Sequence, residues 1–551
     1  RETFLSSKLT GLGGAMAEQP FKVLGWCPDR KVVYYQERQT GQIAYITPSA
    51  QATPLLKLAP VEYWEDLYPG RLGTDWVKAS SDVIKSANNC GVFALDRVRG
   101  RGVWMDGSRV FWHLGDQLEV DGKLVELIDH ESSYHYQRLP RLDIDPATAP
   151  LSDAQGEVIL QAVKAMGWIT PLDHLHLLGW VVLATVGGAL DKRPVLQITC
   201  GFGQGKTYTL TVVIQPLLAG LAIRESNSSE AAIRQILNTD TLPVLIDESE
   251  GEDAHKREGH LKLARLSFDG TATSRGTTYG KALSYAVRSS IALVGINAVI
   301  ANPADRSRTV VVGRQQLPQE QWASVDRQLR EVLTVKTGAM LIRRCVTHLP
   351  TLQANVATFR RVVEAQLPAG AAARGGDTYG ALLAGAHLLL STAQVDEQQA
   401  VAWLDSVSWD AASALGVDAA PEQSAAAEGS QCLAKLLSHE EQWRSDAGTG
   451  RLSMRELLEL ARSPSGADEA EQAEQARKAL GRRGIKATDH GLVIANSAEL
   501  LAPIYGNTKW RNGGHVERLR DLPGAAAAGS VHFPVMRTHK ATTVPWAAAG
   551  F

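Results

Sequence analysis

Residues 195–210 read VLQITCGFGQGKTYTL, and this stretch decides the fold. Its first five residues are mostly apolar or β-branched and predict a strand, whereas the residues after Lys206 are typical of a helix. Between them lies a loop with glycines at 201, 203 and 205. Such a loop can point backbone N–H groups at a phosphate, and the following helix adds the positive end of its dipole. The stretch therefore predicts a phosphate-binding loop in an α/β domain.

The spacing is that of a Walker A motif, in which Lys206 reaches the β and γ phosphates and Thr207 is a ligand of Mg²⁺. The motif departs from its pattern at Cys200, where the first glycine is expected. Gly201 follows directly and can supply the missing flexibility, although a strained residue at 200 can lower nucleotide affinity. The candidate residues for binding ATP are Gly201, Gly203, Gln204, Gly205, Lys206 and Thr207.

Three further short apolar runs, at residues 242–246, 290–294 and 309–312, alternate with helical patterns and predict a parallel sheet. The first of these runs ends in Asp247 and Glu248, 41 residues after Lys206. Since the carboxyl ends of parallel strands share one edge, we expect these acids to lie beside the loop. Asp247 is predicted to hold Mg²⁺ and Glu248 to polarise the attacking water, as phosphoryl transfer requires.

Two further candidate site features, an asparagine and a pair of arginines, follow along the chain. Asn297 comes after the run at 290–294 and can orient the attacking water, although an asparagine in that position is often only a turn residue. Arg306 and Arg308 precede the last run, and an arginine at a subunit edge can stabilise the phosphoryl group of a neighbouring copy. A surface salt bridge, to Asp305 or elsewhere, is an equally good interpretation for either arginine alone.

Residues 274–289 read SRGTTYGKALSYAVRS and predict a hairpin inserted before the third strand. Lys281 is expected near its tip, with Arg275 and Arg288 on its legs, and these cations suit contact with DNA phosphates. A solvated hairpin without a ligand is the alternative. Arg97, Arg99 and Arg101 would share one face of a strand, where they could form a second nucleic-acid contact or pair with acids of another subunit.

Taken in order, NSSEAAIRQ (227–235), LPVLIDESE (242–250), GTTYGKA (276–282) and ADRSR (304–308) resemble superfamily-3 helicases of the AAA+ type. Within that group the chain is similar to the helicase module of phage and plasmid primase-helicases. Residues 99–106 and 113–116 look like its amino-terminal region, so the resemblance covers roughly residues 20–320. It implies a hexameric ring that hydrolyses ATP with Mg²⁺ at its subunit interfaces and grips single-stranded DNA with the hairpins bearing Lys281.

We therefore expect an α/β protein with an AAA+ P-loop core, an amino-terminal α+β domain, a helical collar and lid, and a winged-helix-like carboxyl-terminal domain. The predicted boundaries are an α+β domain at 1–140, linker and collar at 141–190, the ATPase core at 191–317, a helical lid at 318–416, an acidic linker at 417–431 and a basic terminal domain at 432–551.

The composition, with 44% hydrophobic and 21% charged residues, is that of a globular protein. Five scattered cysteines without CxxC spacing favour neither a zinc site nor a disulfide framework. The most apolar stretch, residues 175–190, is too short for a membrane span, so a bacterial cytoplasmic location without membrane contact is expected. Because residue 1 is Arg, the chain can be part of a longer protein, and a primase domain can precede it.

The charge is unevenly distributed along the chain. Residues 477–551 contain eleven Lys and Arg against four Asp and Glu, a net +7, so the preceding residues carry −9 of the total −2. This asymmetry is typical of a module that touches phosphates, although an ordinary solvated surface is equally compatible with it.

The leading hypothesis is an ATP-driven helicase of phage or plasmid replication, acting on single-stranded or forked DNA with possible replication partners. One alternative is an ATP-driven loader that remodels a partner without unwinding DNA. Another is a degenerate P-loop protein that binds nucleotide without hydrolysing it, which Cys200 would explain.

Overall fold

The structure is a computed structural model that describes residues 19–200, 206–226, 228–247, 254–276, 282–295, 302–315, 317–410, 425–445, 448–462, 467–506, 508, 510–511 and 513–550. The chain divides into two compact units, Arg1–Trp409 (unit 1) and Asp410–Phe551 (unit 2).

Unit 1 begins with an antiparallel sheet of three strands packed on helices. Trp64, which is fully buried, anchors this core and donates its indole N–H to the carbonyls of Leu55 and Ala59. Asp75 caps the longest of these helices, at Trp76–Cys90, by accepting a hydrogen bond from the Lys78 amide. The elements are β1 (Phe21–Cys27), β2 (Val32–Glu37), β3 (Ile43–Ile46), α1 (Ala52–Leu56), α2 (Val61–Leu67), β4 (Pro69–Gly70), β5 (Gly73–Thr74) and α3 (Trp76–Cys90).

Residues 102–125 form a four-stranded antiparallel sheet, and residues 98–99 pair in parallel with residues 135–136. The two share a core around Phe111 and Tyr136, whose rings stack 5.7 Å apart. The residues at 102–106 and 109–113 form a hairpin. The elements are β6 (Val98–Arg99), β7 (Gly102–Asp106), β8 (Arg109–His113), β9 (Leu118–Val120), β10 (Lys123–Val125) and β11 (His135–Tyr136). The prediction of mixed helices and strands in this region is correct.

Two helices, α4 (Asp153–Lys164) and α5 (Asp173–Thr185), precede the central sheet. A capping box between Ser152 and Gln155 starts α4. All but the last residue of α5 are buried, so this apolar stretch is a core helix. Among the described residues, no helix is both long and apolar enough to span a membrane.

The central sheet has five strands, all parallel, in the spatial order β13-β14-β17-β12-β18. Strand β12, which leads into the glycine-rich loop, therefore lies between β17 and β18. The strands are β12 (Val195–Cys200), β13 (Ile223–Glu225), β14 (Val244–Asp247), β17 (Ile291–Gly295) and β18 (Thr309–Arg314). The predicted parallel α/β sheet is confirmed, and β13 is a strand that the sequence analysis did not identify.

Helices and one hairpin connect these strands. A helical stretch after β12 comprises α6 (Lys206–Tyr208), a π-helical turn (Thr209–Ile214) and α7 (Gln215–Leu217). The other connections are α8 (Glu230–Leu237), α9 (Ala254–Asp269), β15 (Ala272–Gly276), β16 (Ala282–Ala286) and α10 (Pro303–Arg306).

A helical layer completes unit 1, as predicted for this part of the chain. Helices α5 and α15 pack closely, because Gly179 and Gly385 face the opposing backbone and a Cβ at either would meet a carbonyl oxygen. The elements are α11 (Gln319–Val332), α12 (Val335–Thr347), α13 (Leu349–Gln366), α14 (Ala372–Gly375), a π-helical turn (Gly376–Gly380), α15 (Ala381–Leu390) and α16 (Glu397–Ser406).

Unit 2 has its own core around Leu457, Leu480 and Tyr505. Its elements are α17 (Ala425–Leu437), β19 (Glu440–Ser445), β20 (Gly448–Ser453), α18 (Met454–Arg462), α19 (Ala467–Arg482), β21 (Ile485–Thr488), β22 (Gly491–Ala495), α20 (Ala502–Tyr505), α21 (Gly514–Arg520), β23 (Ala526–His532), β24 (Thr538–Pro545) and α22 (Trp546–Ala549).

Unit 2 departs from the sequence analysis in one respect. Helix α17 begins at residue 425, inside the range 417–431 that was predicted to be a linker. Helices α18 and α19 precede the hairpin β21–β22, and that hairpin belongs to a four-stranded antiparallel sheet in the order β21-β22-β24-β23. The winged-helix assignment and the remaining domain boundaries stay predictions.

Candidate nucleotide site

Two of the predicted site residues lie at the carboxyl edge of the central sheet. Thr207 is exposed in the first turn of the helix after β12, and Asp247 is the last residue of β14. Strand β17 lies between β12 and β14, with Val294 paired to both Ile198 and Asp247. Both residues therefore follow strands that end at one edge, where parallel sheets bind ligands.

Several predicted residues lie outside the described part of the chain, and their predicted roles remain predictions: Gly201, Gly203, Gln204, Gly205, Glu248 and Asn297. The backbone of Lys206 is described as the start of α6, but its side chain is not. The strand before Asn297, β17, is the one between the loop strand and the Asp247 strand. Cys200 is the last residue of β12 and pairs with Arg314.

Asp247 has a cationic neighbour that the sequence analysis did not identify. An Nη2 atom of Arg224, on the edge strand β13, lies 3.1 Å from Oδ2 of Asp247. The Asp247 side chain is 15% exposed and that of Arg224 is 32% exposed, so the pair is only partly screened by solvent. Arg224 thus balances part of the negative charge at this end of β14.

Asp247 and Thr207 carry the kinds of oxygen atom that could hold Mg²⁺. Mg²⁺ usually keeps several waters and takes one or two protein oxygens together with phosphate oxygens. A carboxylate and a hydroxyl at one sheet edge are such a set, and no larger cluster of His, Cys, Asp or Glu suited to a metal occurs in the described ranges. When bound with a nucleotide, the ion would neutralise phosphate charge.

The helix that starts at Lys206 is anchored through contacts of Tyr208. The Tyr208 hydroxyl donates to Asp326 of α11 at 2.5 Å, and burial together with this acceptor raises the pKa of Tyr208. The Tyr208 ring packs edge-on to Trp322 at 4.9 Å, and the buried guanidinium of Arg314 lies 4.8 Å from the Trp322 ring. Arg314 therefore links the end of β18 to the helical layer.

The π-helical turn at Thr209–Ile214 begins directly after this anchored tyrosine. Such turns occur mostly as single insertions in α-helices and are frequent at functional sites. Here the turn, which contains the buried Val213, joins the Lys206–Tyr208 segment to the buried Leu217.

Arg306 and Arg308 lie at the opposite edge of the sheet. Arg306 ends α10, and the carbonyl of Arg308 accepts a hydrogen bond from the amide of Val195, the first residue of β12. A six-residue strand is roughly 20 Å long, which is more than an arginine side chain can span. Both arginines therefore lie at the edge where β12 begins, away from the edge where it ends.

Arg308 is held within its own chain by Asp269, the last residue of α9. Asp269 lies 2.7 Å from Lys192, 3.5 Å from Arg308 and 3.6 Å from Arg374. Burial alone would raise the pKa of Asp269, but the Lys192 hydrogen bond and the charges of all three cations outweigh burial and lower it. The same cations lie 5.5–5.8 Å from the ring of Phe268. Asp305 instead pairs with Arg265, at 2.6 and 2.7 Å.

The predicted hairpin is confirmed as the pair β15–β16, with Ala272 opposite Ala286 and Gly276 opposite Ala282. It connects α9 to the start of β17 and therefore belongs to the edge where the strands begin. The side chain of Arg275 and all of Lys281 lie outside the described residues. The placement of Arg288 on a hairpin leg is wrong, because β16 ends two residues earlier.

Arg288 lies instead among other arginines. Burial and the charge of Arg288 lower the pKa of Arg193 to about 10. Burial also lowers the pKa of Arg99, and the charge of Arg288 contributes to this shift. Arg193 is 1% exposed and donates to the carbonyls of Ser267, Gly187 and Leu190, so it remains charged in a fully hydrogen-bonded position.

The prediction that Arg97, Arg99 and Arg101 share one face of a strand is wrong. Arg97 belongs to a 3₁₀ turn, only Arg99 is in β6, and Arg101 precedes β7. Arg99 stacks on Tyr134 at 3.9 Å, and Arg101 pairs with Asp240 at 2.6 Å. The partner of Arg101 is thus an acid of the same chain, not of another subunit.

No protein-family model and no curated protein matches the chain. Among solved structures, the A-form apo structure of the NrS-1 C-terminal region is 11% identical with a TM-score of 0.34, over 98% of this chain and 99% of the other. A JCV helicase with a bound substituted acetamide is 15% identical with a TM-score of 0.23, over 38% of this chain and 56% of the other. Both TM-scores are below 0.5, so neither neighbour determines the fold.

Proposed function

We propose that this chain is an ATP-dependent DNA helicase or translocase that works as a ring, with ATP hydrolysed between neighbouring copies. The observation that carries the proposal is the placement of Thr207 and Asp247 at the carboxyl edge of one parallel sheet. The Walker A sequence ends in this threonine, and the acidic pair begins with this aspartate. A nucleotide bound there would meet Lys206, Thr207, Asp247 and Glu248 together.

The opposite edge supports action between copies. Arg308 lies at the edge where β12 begins, away from the edge where it ends, and with Lys192 and Arg374 it forms a cationic group around Asp269. A neighbouring copy docked against this edge would place its nucleotide beside these cations, where an arginine can stabilise the transferred phosphoryl group.

A role on DNA is supported by the hairpin β15–β16, whose sequence carries Arg275 and Lys281. The hairpin lies at the end of the sheet away from the nucleotide, so it can move with the nucleotide state without obstructing the phosphates. Basic side chains on such a hairpin suit contact with a single-stranded backbone.

The test is ATP hydrolysis and strand separation on a forked duplex. We expect DNA-stimulated turnover that Lys206→Ala and Glu248→Gln each abolish, whereas Lys164→Ala, an exposed lysine on α4, leaves it unchanged. Hydrolysis that is indifferent to DNA, without unwinding, would contradict the helicase and favour the loader. Nucleotide binding without hydrolysis in the unaltered chain would contradict both.

A further inference from the structure

The last two strands of unit 2 extend past the rest of their sheet. Strand β24 pairs with β22 only from Pro545 to Ala541, whereas its pairing with β23 continues to Thr538. One hydrogen bond, from the Asn496 amide to the Lys540 carbonyl, marks where the third strand ends. Residues 530–532 and 538–540, with their connection at 533–537, therefore form a two-stranded extension, the ribbon end.

The ribbon end carries cations and no acids. Arg537 and Lys540 are exposed there, and Nζ of Lys486, on β21, approaches the carbonyl of His532 at 3.5 Å. No Asp or Glu occurs anywhere in residues 522–551. Within the described part of unit 2, none of these three cations belongs to an ion pair.

The nearby acids of unit 2 are paired or lie at the other end of the sheet, except for Glu499, which is exposed and follows Asn496 just after the end of β22. Asp489 lies in the turn before Gly491, which pairs with Pro545 at the other end of the sheet. Asp521 pairs with Arg518 at 3.0 Å, and Glu441 with Arg483 at 2.6 Å. Three cations against this one acid leave the ribbon end with a net positive charge, and a surface of this kind attracts anions.

The ribbon end is also held in place. Phe533, in its connection, is fully buried and packs with Val493, Ala495 and Ala541 in a small separate core. Because this anchor orders the connection before any ligand arrives, binding would cost little further conformational entropy.

We propose that the ribbon end is a DNA-binding site in which Lys486, Arg537 and Lys540 contact backbone phosphates, separately from the motor in unit 1. A two-stranded β-ribbon fits the major groove of a duplex, and cations alone suffice for phosphate contacts in either duplex or single strand. The surface does not suit a protein partner, because Val535 is its only large exposed apolar side chain among the described residues and no aromatic anchor accompanies it.

The test uses the full chain without ATP, so that its result does not depend on hydrolysis. Binding to an oligo-dT strand and to a mixed-sequence duplex is measured over a range of salt concentrations. In the triple variant Lys486→Gln, Arg537→Gln, Lys540→Gln, we expect the slope of log affinity against log salt to fall by about 2 to 3 for duplex, at about 0.9 per phosphate contact. For a single strand the expected fall is about 2, at about 0.7 per contact.

A matched control removes three exposed cations of unit 2 from other elements, Lys435→Gln, Arg451→Gln and Arg520→Gln. A larger loss for the ribbon variant than for this control, on either DNA, supports the proposal, and the DNA affected identifies the form that is bound. Equal slopes for the two variants on both DNAs would overturn it. Unchanged unfolding midpoints and unchanged DNA-independent ATP hydrolysis show that both variants are folded.

Discussion

Arg101 and Asp240, 139 positions apart, are joined by three hydrogen bonds of 2.6–2.9 Å, two from the guanidinium and one from the Arg101 amide. Asp240 is 5% exposed and stands in the loop that leads to β14. The pair thus fastens the amino-terminal sheets of unit 1 to the strand that ends in Asp247.

Breaking this pair should destabilise unit 1. Asp240→Asn leaves the Arg101 guanidinium without its charged partner, at a cost of about 3 kcal/mol for a largely buried pair. The control is Glu397→Gln, whose pair with Arg361 is 60% and 57% exposed and should contribute less than about 1 kcal/mol. Thermal unfolding followed by circular dichroism measures both, and equal midpoints for the two variants would contradict this role of Arg101.

Arg224→Gln should lower the Mg²⁺ concentration needed for half-maximal ATP hydrolysis. The Arg224 charge, 3.1 Å from Oδ2 of Asp247, competes with a cation for the same carboxylate. Removing a partly exposed partner of this kind should change the free energy of Mg²⁺ binding by up to about 1 kcal/mol, which corresponds to about a two- to fivefold change in the Mg²⁺ concentration required. Arg224→Lys retains the charge and should behave as the unaltered chain does. A raised Mg²⁺ requirement in Arg224→Gln would mean that Arg224 positions Asp247 instead.

The contribution of Asp269 should depend on pH. Its folded-state pKa is lowered, so the stabilisation is fully present above the unfolded value of about 3.9 and is lost as the pH falls through the lower folded value. We expect Asp269→Asn to lower the unfolding midpoint equally at pH 7 and at pH 5, and the difference from the unaltered chain to disappear only in more acidic solution. A difference that already shrinks between pH 7 and pH 5 would refute this assignment.

Mixed rings should reveal whether Arg308 acts between copies. Arg308→Ala and Lys206→Ala should each be inactive alone. When the two variants are mixed at random in equal amounts, about a quarter of the subunit interfaces combine an intact loop with an intact arginine. About a quarter of the activity should therefore return. Repeating the mixture with Arg306→Ala distinguishes the two arginines. A mixture as inactive as its components would exclude action in trans by the arginine tested.

The sequence predicted the central sheet well because its strands are buried on both faces and appear as unbroken apolar runs. The runs at 242–246, 290–294 and 309–312 all form strands within two residues of the expected bounds. Strand β13 was not identified because it has only three residues, IRE, at a half-exposed edge. Its short charged sequence has neither the length nor the alternation that would signal a strand.

Charged side chains were harder to interpret, because their partners are distant in the chain. The alternation of Arg97, Arg99 and Arg101 suggested one shared surface. Backbone turns separate these residues, however, and Arg101 forms an ion pair with Asp240. Likewise, nothing in the sequence connects Arg224 with Asp247, Tyr208 with Asp326, or Lys192 and Arg374 with Asp269. A pairing over such separations depends on strand order and helix packing, which no local pattern encodes.

The sequence by itself determined the order of the candidate catalytic elements, the parallel sheet that carries them and the basic character of the final residues. These follow from local patterns: apolar runs, glycine spacing and the distribution of charge. Only the tertiary structure decided that Thr207 and Asp247 share one edge, that Arg308 lies at the other, and that Lys486 lies near Arg537 and Lys540 at the ribbon end. The physical reason is that the strand order places residues at one edge or the other, and that order is fixed by packing over the whole unit.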